Sequence, residues 1–134
     1  MQQRLTNERL YRILFLIAAL YDFILGFVFF AFLRFFFEDI FKLPLPNYPA
    51  FFQAAAAFVF VMGVGFYFVY RNMYRNIDIV KVGITFKLVY TGLAFYHVFF
   101  QGMPWIFSVF GFLDLIFIVF FVFFLLAIRR GVQA

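Results

Sequence analysis

Three charged side chains sit in the middle of long apolar runs of this sequence: Asp22, Lys87 and Asp114. A charge at the centre of a membrane-crossing helix carries an insertion penalty of about 2.5 to 3.5 kcal/mol, so each needs a partner or a change of protonation. An Asp–Lys ion pair meets that need most economically, and a lysine bridging one or both carboxylates would fix the register of the helices that carry them. Lys87 has a further outlet, because its long side chain leans toward the amino end of its helix and can snorkel toward water. The charge count opens a second chemistry. Two carboxylates against one lysine leave a negative charge over, where a proton or cation could load and leave. In the sharper form of this reading Asp22 exchanges the proton while Asp114 and Lys87 are the fixed pair; residue types alone do not choose between the two carboxylates.

The remaining polar residues carry weaker signals. His97 is the one histidine, which excludes a multi-histidine metal site, and with a single carboxylate it would make a poor cage. An axial ligand to one haem or chlorophyll is conceivable, but a hydrogen-bonded interior residue is the plainer reading. Ser108 is the one serine, and an assembly of Ser108, His97 and Asp114 lacks any Gly-x-Ser-x-Gly turn around the nucleophile. The chain has no cysteine, which removes disulfides, thiolate metal ligands and thiol catalysis. No Walker loop, dinucleotide fingerprint, His-Glu-x-x-His motif or glycosylation sequon occurs. The chain therefore reads as a non-enzyme, with no catalytic residues, no metal and no obligatory cofactor.

The elements that must position these groups follow from composition. Of 134 residues 68% are hydrophobic and 13% charged, against roughly half and roughly a quarter in soluble domains. A soluble globule could not hide so much apolar surface. The 28 phenylalanines are nearly interchangeable with Leu and Ile against lipid and are given little functional weight. Four apolar runs, at residues 11–33, 50–70, 79–100 and 105–128, are each long enough to cross a hydrocarbon core of about 30 Å. The expected fold is all-α: an integral membrane four-helix bundle forming one domain over 1–134, with no separate soluble catalytic part. A basic start before an apolar stretch can mark a signal peptide, but the run continues past Asp22 to Leu33 and reads as the first span.

Charge sets the expected orientation. Arg4, Arg9 and Arg12 precede the first run, Arg71 and Arg75 with nearby Lys81 occupy the second connection, and Arg129 and Arg130 follow the last. The opposite side has Arg34 and Lys42 offset by Glu38 and Asp39, and an uncharged Gln101-Gly102-Met103-Pro104 turn. By the positive-inside rule both termini face the cytoplasm. The net charge of +5 thus reads as membrane topology, with membrane lipids as partners and no nucleic acid. The expected location is a bacterial or archaeal cytoplasmic membrane, crossed several times. Residues 34–49 should form an interfacial connector: a short amphipathic helix over Phe35–Lys42, then an extended Pro44–Pro49 segment with Pro49 in the first turn of the next span. Tyr48, Tyr70, Tyr74 and Trp105 fall where an aromatic belt would lie.

Small and polar residues recur at helical spacing on every span, and in lipid such faces turn inward. The stripes are Ala18, Asp22 and Gly26; then Gln53, Ala56, Ala57, Phe60, Gly63 and Tyr67; then Gly83, Lys87, Tyr90, Thr91, Ala94, His97 and Gln101; then Ser108, Gly111 and Asp114. Counting from the basic ends at 1.5 Å per residue places Lys87 roughly 12 Å, Asp22 roughly 16 Å and Asp114 roughly 21 Å deep. A buried polar cluster of Asp22, Lys87, Asp114, Tyr90 and Thr91 is expected, and an outer-half cluster of Gln53, His97 and Ser108.

Tyr11-Arg12, the Asn47-Tyr48-Pro49-Ala50-Phe51-Phe52-Gln53 lead into the second run, Val82-Gly83 with Lys87, and Phe110-Gly111-Phe112-Leu113-Asp114-Leu115 together resemble the small bacterial four-helix membrane proteins called DoxX-like. That resemblance implies a four-helix bundle and, for some relatives, a link to quinone or sulfur redox enzymes. Small multidrug exporters also place an acidic residue in the first of four spans, but the strong charge bias here opposes dual insertion, and Lys87 would compete with a cationic substrate. The leading expectation is an accessory subunit of a larger membrane complex, or a bundle that holds a lipid or quinone; homo-oligomers are compatible with both. A proton-coupled small transporter using Asp22 or Asp114 is the alternative, and a DoxX-like redox accessory the third.

Overall fold

The computed structural model describes the backbone of residues 5–133 and the side chains of residues 5–130; Arg4 lies outside the described residues. Four long helices, α1 (Glu8–Ala31), α2 (Pro49–Arg71), α3 (Ile77–Phe100) and α4 (Ile106–Gln133), account for most of the chain. Each is long and apolar enough to cross a membrane. The protein is thus an all-helical, multi-pass membrane protein.

Helix ends extend past the apolar runs because a backbone ladder continues where hydropathy stops. Helix α1 begins at Glu8, three residues before Tyr11, and α4 runs on through Arg129 and Arg130. The turn between α2 and α3 is closed by its asparagines. The Asn76 amide donates to the Phe68 and Asn72 carbonyls, at 3.0 and 2.9 Å, satisfying acceptors that the end of α2 leaves open. Between α3 and α4, Gly102 takes a left-handed φ of 71° and the Met103 N–H returns to the His97 carbonyl at 3.0 Å. Pro49 occupies the first turn of α2, where its missing N–H costs nothing.

The connector differs from expectation. Phe35–Ile40 is a π-helical turn, with Phe41 N–H donating to Phe36 O at 2.8 Å. Phe37 is buried, and its ring meets those of Phe52 and Phe107 at 5.1 and 6.0 Å. The wider π turn brings Phe37 over the bundle while leaving Glu38 and Asp39 exposed.

The bundle is two antiparallel hairpins. Helices α1 and α2 pack closely, as do α3 and α4, whereas the seams between the pairs are looser. The α1–α2 pair meets backbone to backbone. A Cβ on Gly26 would fall 2.7 Å from the Ala56 carbonyl oxygen, and one on Gly63 would fall 2.6 Å from the Phe23 nitrogen. Across the seams large aromatics take over: Phe15 stacks on Phe121 at 5.2 Å and meets Phe124 edge-on at 4.9 Å, and Phe66 lies 5.1 Å from Phe121. Small residues let backbones approach in lipid, where apolar burial no longer drives association. Phe15, Ala18, Ala19, Phe66, Val69, Val80, Phe121 and Phe124 form the core at the basic end. The inward stripe of α2 runs through Ala56, Val59, Gly63, Phe66 and Val69, so Tyr67, expected inside, is 46% exposed.

The basic ends of the chain meet at one end of the bundle. The Tyr74 hydroxyl accepts from Leu5 N–H at 2.9 Å and donates to Glu8 at 3.3 Å, and the Arg12 guanidinium lies 5.0 Å from the Tyr70 ring. Tyr70 and Tyr74 are therefore half-buried ties, unlike the exposed Tyr48 and Trp105 at the other end.

Gly26→Ala forces two backbones apart and should destabilise the protein by about 1–3 kcal/mol. Gly92→Ala, whose Cβ meets nothing within 4 Å, should be neutral or slightly stabilising. Thermal unfolding of the two variants in mild detergent measures the contrast, and equal melting temperatures would refute the close α1–α2 contact.

Candidate functional site

One helical stripe on each of α1, α3 and α4 delivers a charge to a common point. The Lys87 ammonium donates to Asp114 Oδ1 at 2.8 Å and to Asp22 Oδ1 at 3.3 Å. Lys87 is fully buried, so its side chain turns to the carboxylates instead of snorkelling. Two of its three N–H groups are thereby engaged. The ammonium also sits 5.0 Å from the Phe117 ring centre, 5.5 Å from Tyr21 and 5.7 Å from Phe66. Ring faces are negative and attract a desolvated cation. Gly83, one turn before Lys87, makes room for this box: a Cβ there would come 2.6 Å from Phe66 Cζ.

The carboxylates are less completely satisfied than the lysine. Asp22 is 2% exposed, and its Oδ2 is buried with no hydrogen-bond partner, as are the Tyr21 hydroxyl and Thr91 Oγ1. Thr91 is buried one turn from Lys87, and Tyr90 is half-buried beside it. The five residues expected to form the inner polar cluster thus occupy one region, although only Asp22, Lys87 and Asp114 are joined by hydrogen bonds.

Next to this cluster, in the half of the bundle away from the basic end, lies a cavity of about 290 Å³. Asp22, Asp114 and Tyr90 line one part of it and His97 and Met103 another, with Leu25, Phe29, Val59, Phe86, Leu93, Phe107 and Phe110 between them. Phe37 and Phe41, in and just after the π turn, pack on Phe107 at 6.0 and 6.3 Å, and Phe41 on Phe29 at 6.1 Å, so they back two of the rings that line the cavity. The α1–α4 seam beside it is bridged by Phe29 and Phe110 at 5.9 Å. Among the described residues no aromatic pair bridges α2 and α3, and Leu93, which lines the cavity, is 54% exposed. All four helices contribute to the cavity wall.

The outer polar residues do not gather. The Gln53 amide donates to the Phe30 carbonyl at 3.2 Å, and the Ser108 hydroxyl donates to the Trp105 carbonyl at 2.6 Å. His97 lines the cavity and is exposed. Ser108 finds its acceptor three residues back in its own chain segment and Gln53 finds one on α1, so each is satisfied by a backbone carbonyl. No set of three His, Cys, Asp or Glu side chains stands at metal-binding spacing among the described residues. Tyr21, Phe66 and Phe117 were not legible as site residues: phenylalanine is so abundant in this chain that a ring over an ammonium leaves no mark in the sequence.

Comparison with family models, with curated proteins and with solved structures finds no match to this chain. The site's own geometry therefore carries the functional argument.

Charge balance orders the variants. Lys87→Met leaves two buried carboxylates without a counter-charge and should cost about 3–5 kcal/mol, whereas Asp114→Asn leaves a one-to-one Asp22–Lys87 pair and should be much milder. Unfolding in detergent of both proteins checks the order; a milder effect for Lys87→Met would show that the ammonium is not what holds the carboxylates.

Proposed function

We propose that this protein is a membrane-embedded bundle that binds a hydrophobic ligand, a lipid or quinone-sized molecule, between its two hairpins. The cavity carries this reading. At about 290 Å³ it falls just under the roughly 300–1,000 Å³ of small-molecule sites, its walls are apolar with a few convergent polar groups, and Leu93 in its wall is 54% exposed on the surface of a bundle that would stand in lipid. The Ser108 hydroxyl donates its proton to the Trp105 carbonyl, which is not the hydrogen bond to a base that an activated nucleophile makes.

A proton-coupled transporter is the second reading, favoured by one observation: two carboxylates share one lysine beside the cavity. The shorter contact to Asp114 and the unpartnered Oδ2 of Asp22 support Asp22 as the exchanging group in that reading. In either case we infer that the basic end faces the cytoplasm, in a bacterial or archaeal cytoplasmic membrane, because Arg9, Arg12, Arg71, Arg75, Arg129 and Arg130 lie there.

Native mass spectrometry of protein extracted gently from its membranes should find one apolar molecule per chain, lost in Ala94→Phe, which fills the cavity. Protein that emerges empty would overturn the ligand reading. Orientation is read separately. The chain has no cysteine, so single cysteines at Asn7 and Asp39 can be labelled with an impermeant maleimide in intact cells. Asp39→Cys should react and Asn7→Cys should react only after permeabilisation; the reverse pattern would invert the topology.

A further inference from the structure

We infer that the cavity accepts a cationic amphiphile, an ammonium group on a short apolar body, whose charge meets the carboxylate left over beside Lys87. This rests on the hydrophobic-ligand reading of the cavity and puts a cationic head group in place of a phospholipid's phosphate or a quinone's carbonyls.

The oxygens at the cavity make the case. Asp22 and Asp114 present four carboxylate oxygens, and Lys87 takes Oδ1 of each. Asp22 Oδ2 is buried without a partner in a residue that lines the cavity, and Asp114, which also lines it, keeps 11% of its side chain accessible. With both carboxylates ionised the cluster carries one net negative charge inside an apolar bundle, where such a charge is costly. Lys87 does not compete for that excess. It is fully buried, it is not part of the cavity wall, and its nearest ring is Phe117. What a ligand meets from the carboxylates is acceptors.

That arrangement sorts ligand chemistries. Phosphate and carboxylate head groups are repelled, and a carbonyl oxygen gains nothing from an acceptor. A head group with N–H donors or a fixed positive charge completes the cluster. The walls agree with it, because the rings of Phe29, Phe86, Tyr90 and Phe110 can face a cation as well as an alkyl chain. His97, the one other ionisable cavity residue besides Tyr90, lies ten residues further along α3 than Lys87 and so adds no positive charge at the carboxylates.

The test is equilibrium binding of radiolabelled decyltrimethylammonium to the full chain in phosphatidylcholine nanodiscs, with empty nanodiscs subtracted. Binding should saturate and be displaced by decylammonium, with decanol weaker by about tenfold or more and decanoate weaker still. Asp114→Asn, which keeps a one-to-one ion pair, should weaken binding by about tenfold or more, and Ala94→Phe should abolish it. The comparison of the three decyl competitors uses the wild-type chain, so it stands even if a variant fails to fold. Decanol displacing the probe as well as decylammonium does, or unchanged affinity in folded Asp114→Asn, would overturn the cationic class and leave the apolar cavity intact. No saturable binding of any decyl probe would overturn both readings.

Discussion

An ammonium group buried among hydrocarbon must be solvated by the protein itself, and in this bundle that requirement falls on Lys87. No single helix can meet it. The two carboxylates come from α1 and α4 and the rings from α1, α2 and α4, so all four helices are bound to one register by the needs of one atom. A slip of either hairpin by one turn would separate charges in a medium where separation is costly. The position of Gly83 follows from the same need, since Phe66 could not stand beside the ammonium if that residue had a side chain.

The rest of the packing divides the work by residue size. Within the α1–α2 hairpin, Gly26 and Gly63 bring backbones into contact; between hairpins, phenylalanine rings span the wider gap. Two backbones in contact leave no room for a ligand. Two pairs joined through rings do, and the cavity lies between the hairpins, with all four helices in its wall. The polar cluster and the cavity are thus products of one construction, in which tight pairs are joined loosely.

Much of this was legible in the sequence because the underlying physics is local. The four helices follow from hydropathy and length, and Ala18, Asp22 and Gly26 were on the inner face because their spacing put them there. Asp22, Lys87 and Asp114 were expected together because a buried charge without a partner is prohibitive. What was not legible depends on rotation and on neighbours. The inner face of α2 passes through Phe66 and not Tyr67, and no periodicity separates two adjacent aromatics on one helix. Gln53, His97 and Ser108 were expected to lie together, yet Gln53 bonds to a carbonyl of α1 and Ser108 to the Trp105 carbonyl. The phenylalanines looked like lipid-facing filler, yet Phe37 is buried against Phe52 and Phe117 lies over the lysine. Their role exists only in three dimensions.

The bridge from Lys87 to its carboxylates also has a history in time. Asp22 precedes Lys87 by 65 residues and Lys87 precedes Asp114 by 27. At roughly 5–20 residues per second of synthesis, α1 waits on the order of 3–13 s before its counter-charge leaves the ribosome. Over that interval both helices of the tight hairpin are made, because Gly26 and Gly63 precede Lys87 in the chain. The α1–α2 contact thus uses no residue that has to wait for the ion pair, whereas the register of the hairpins against each other does.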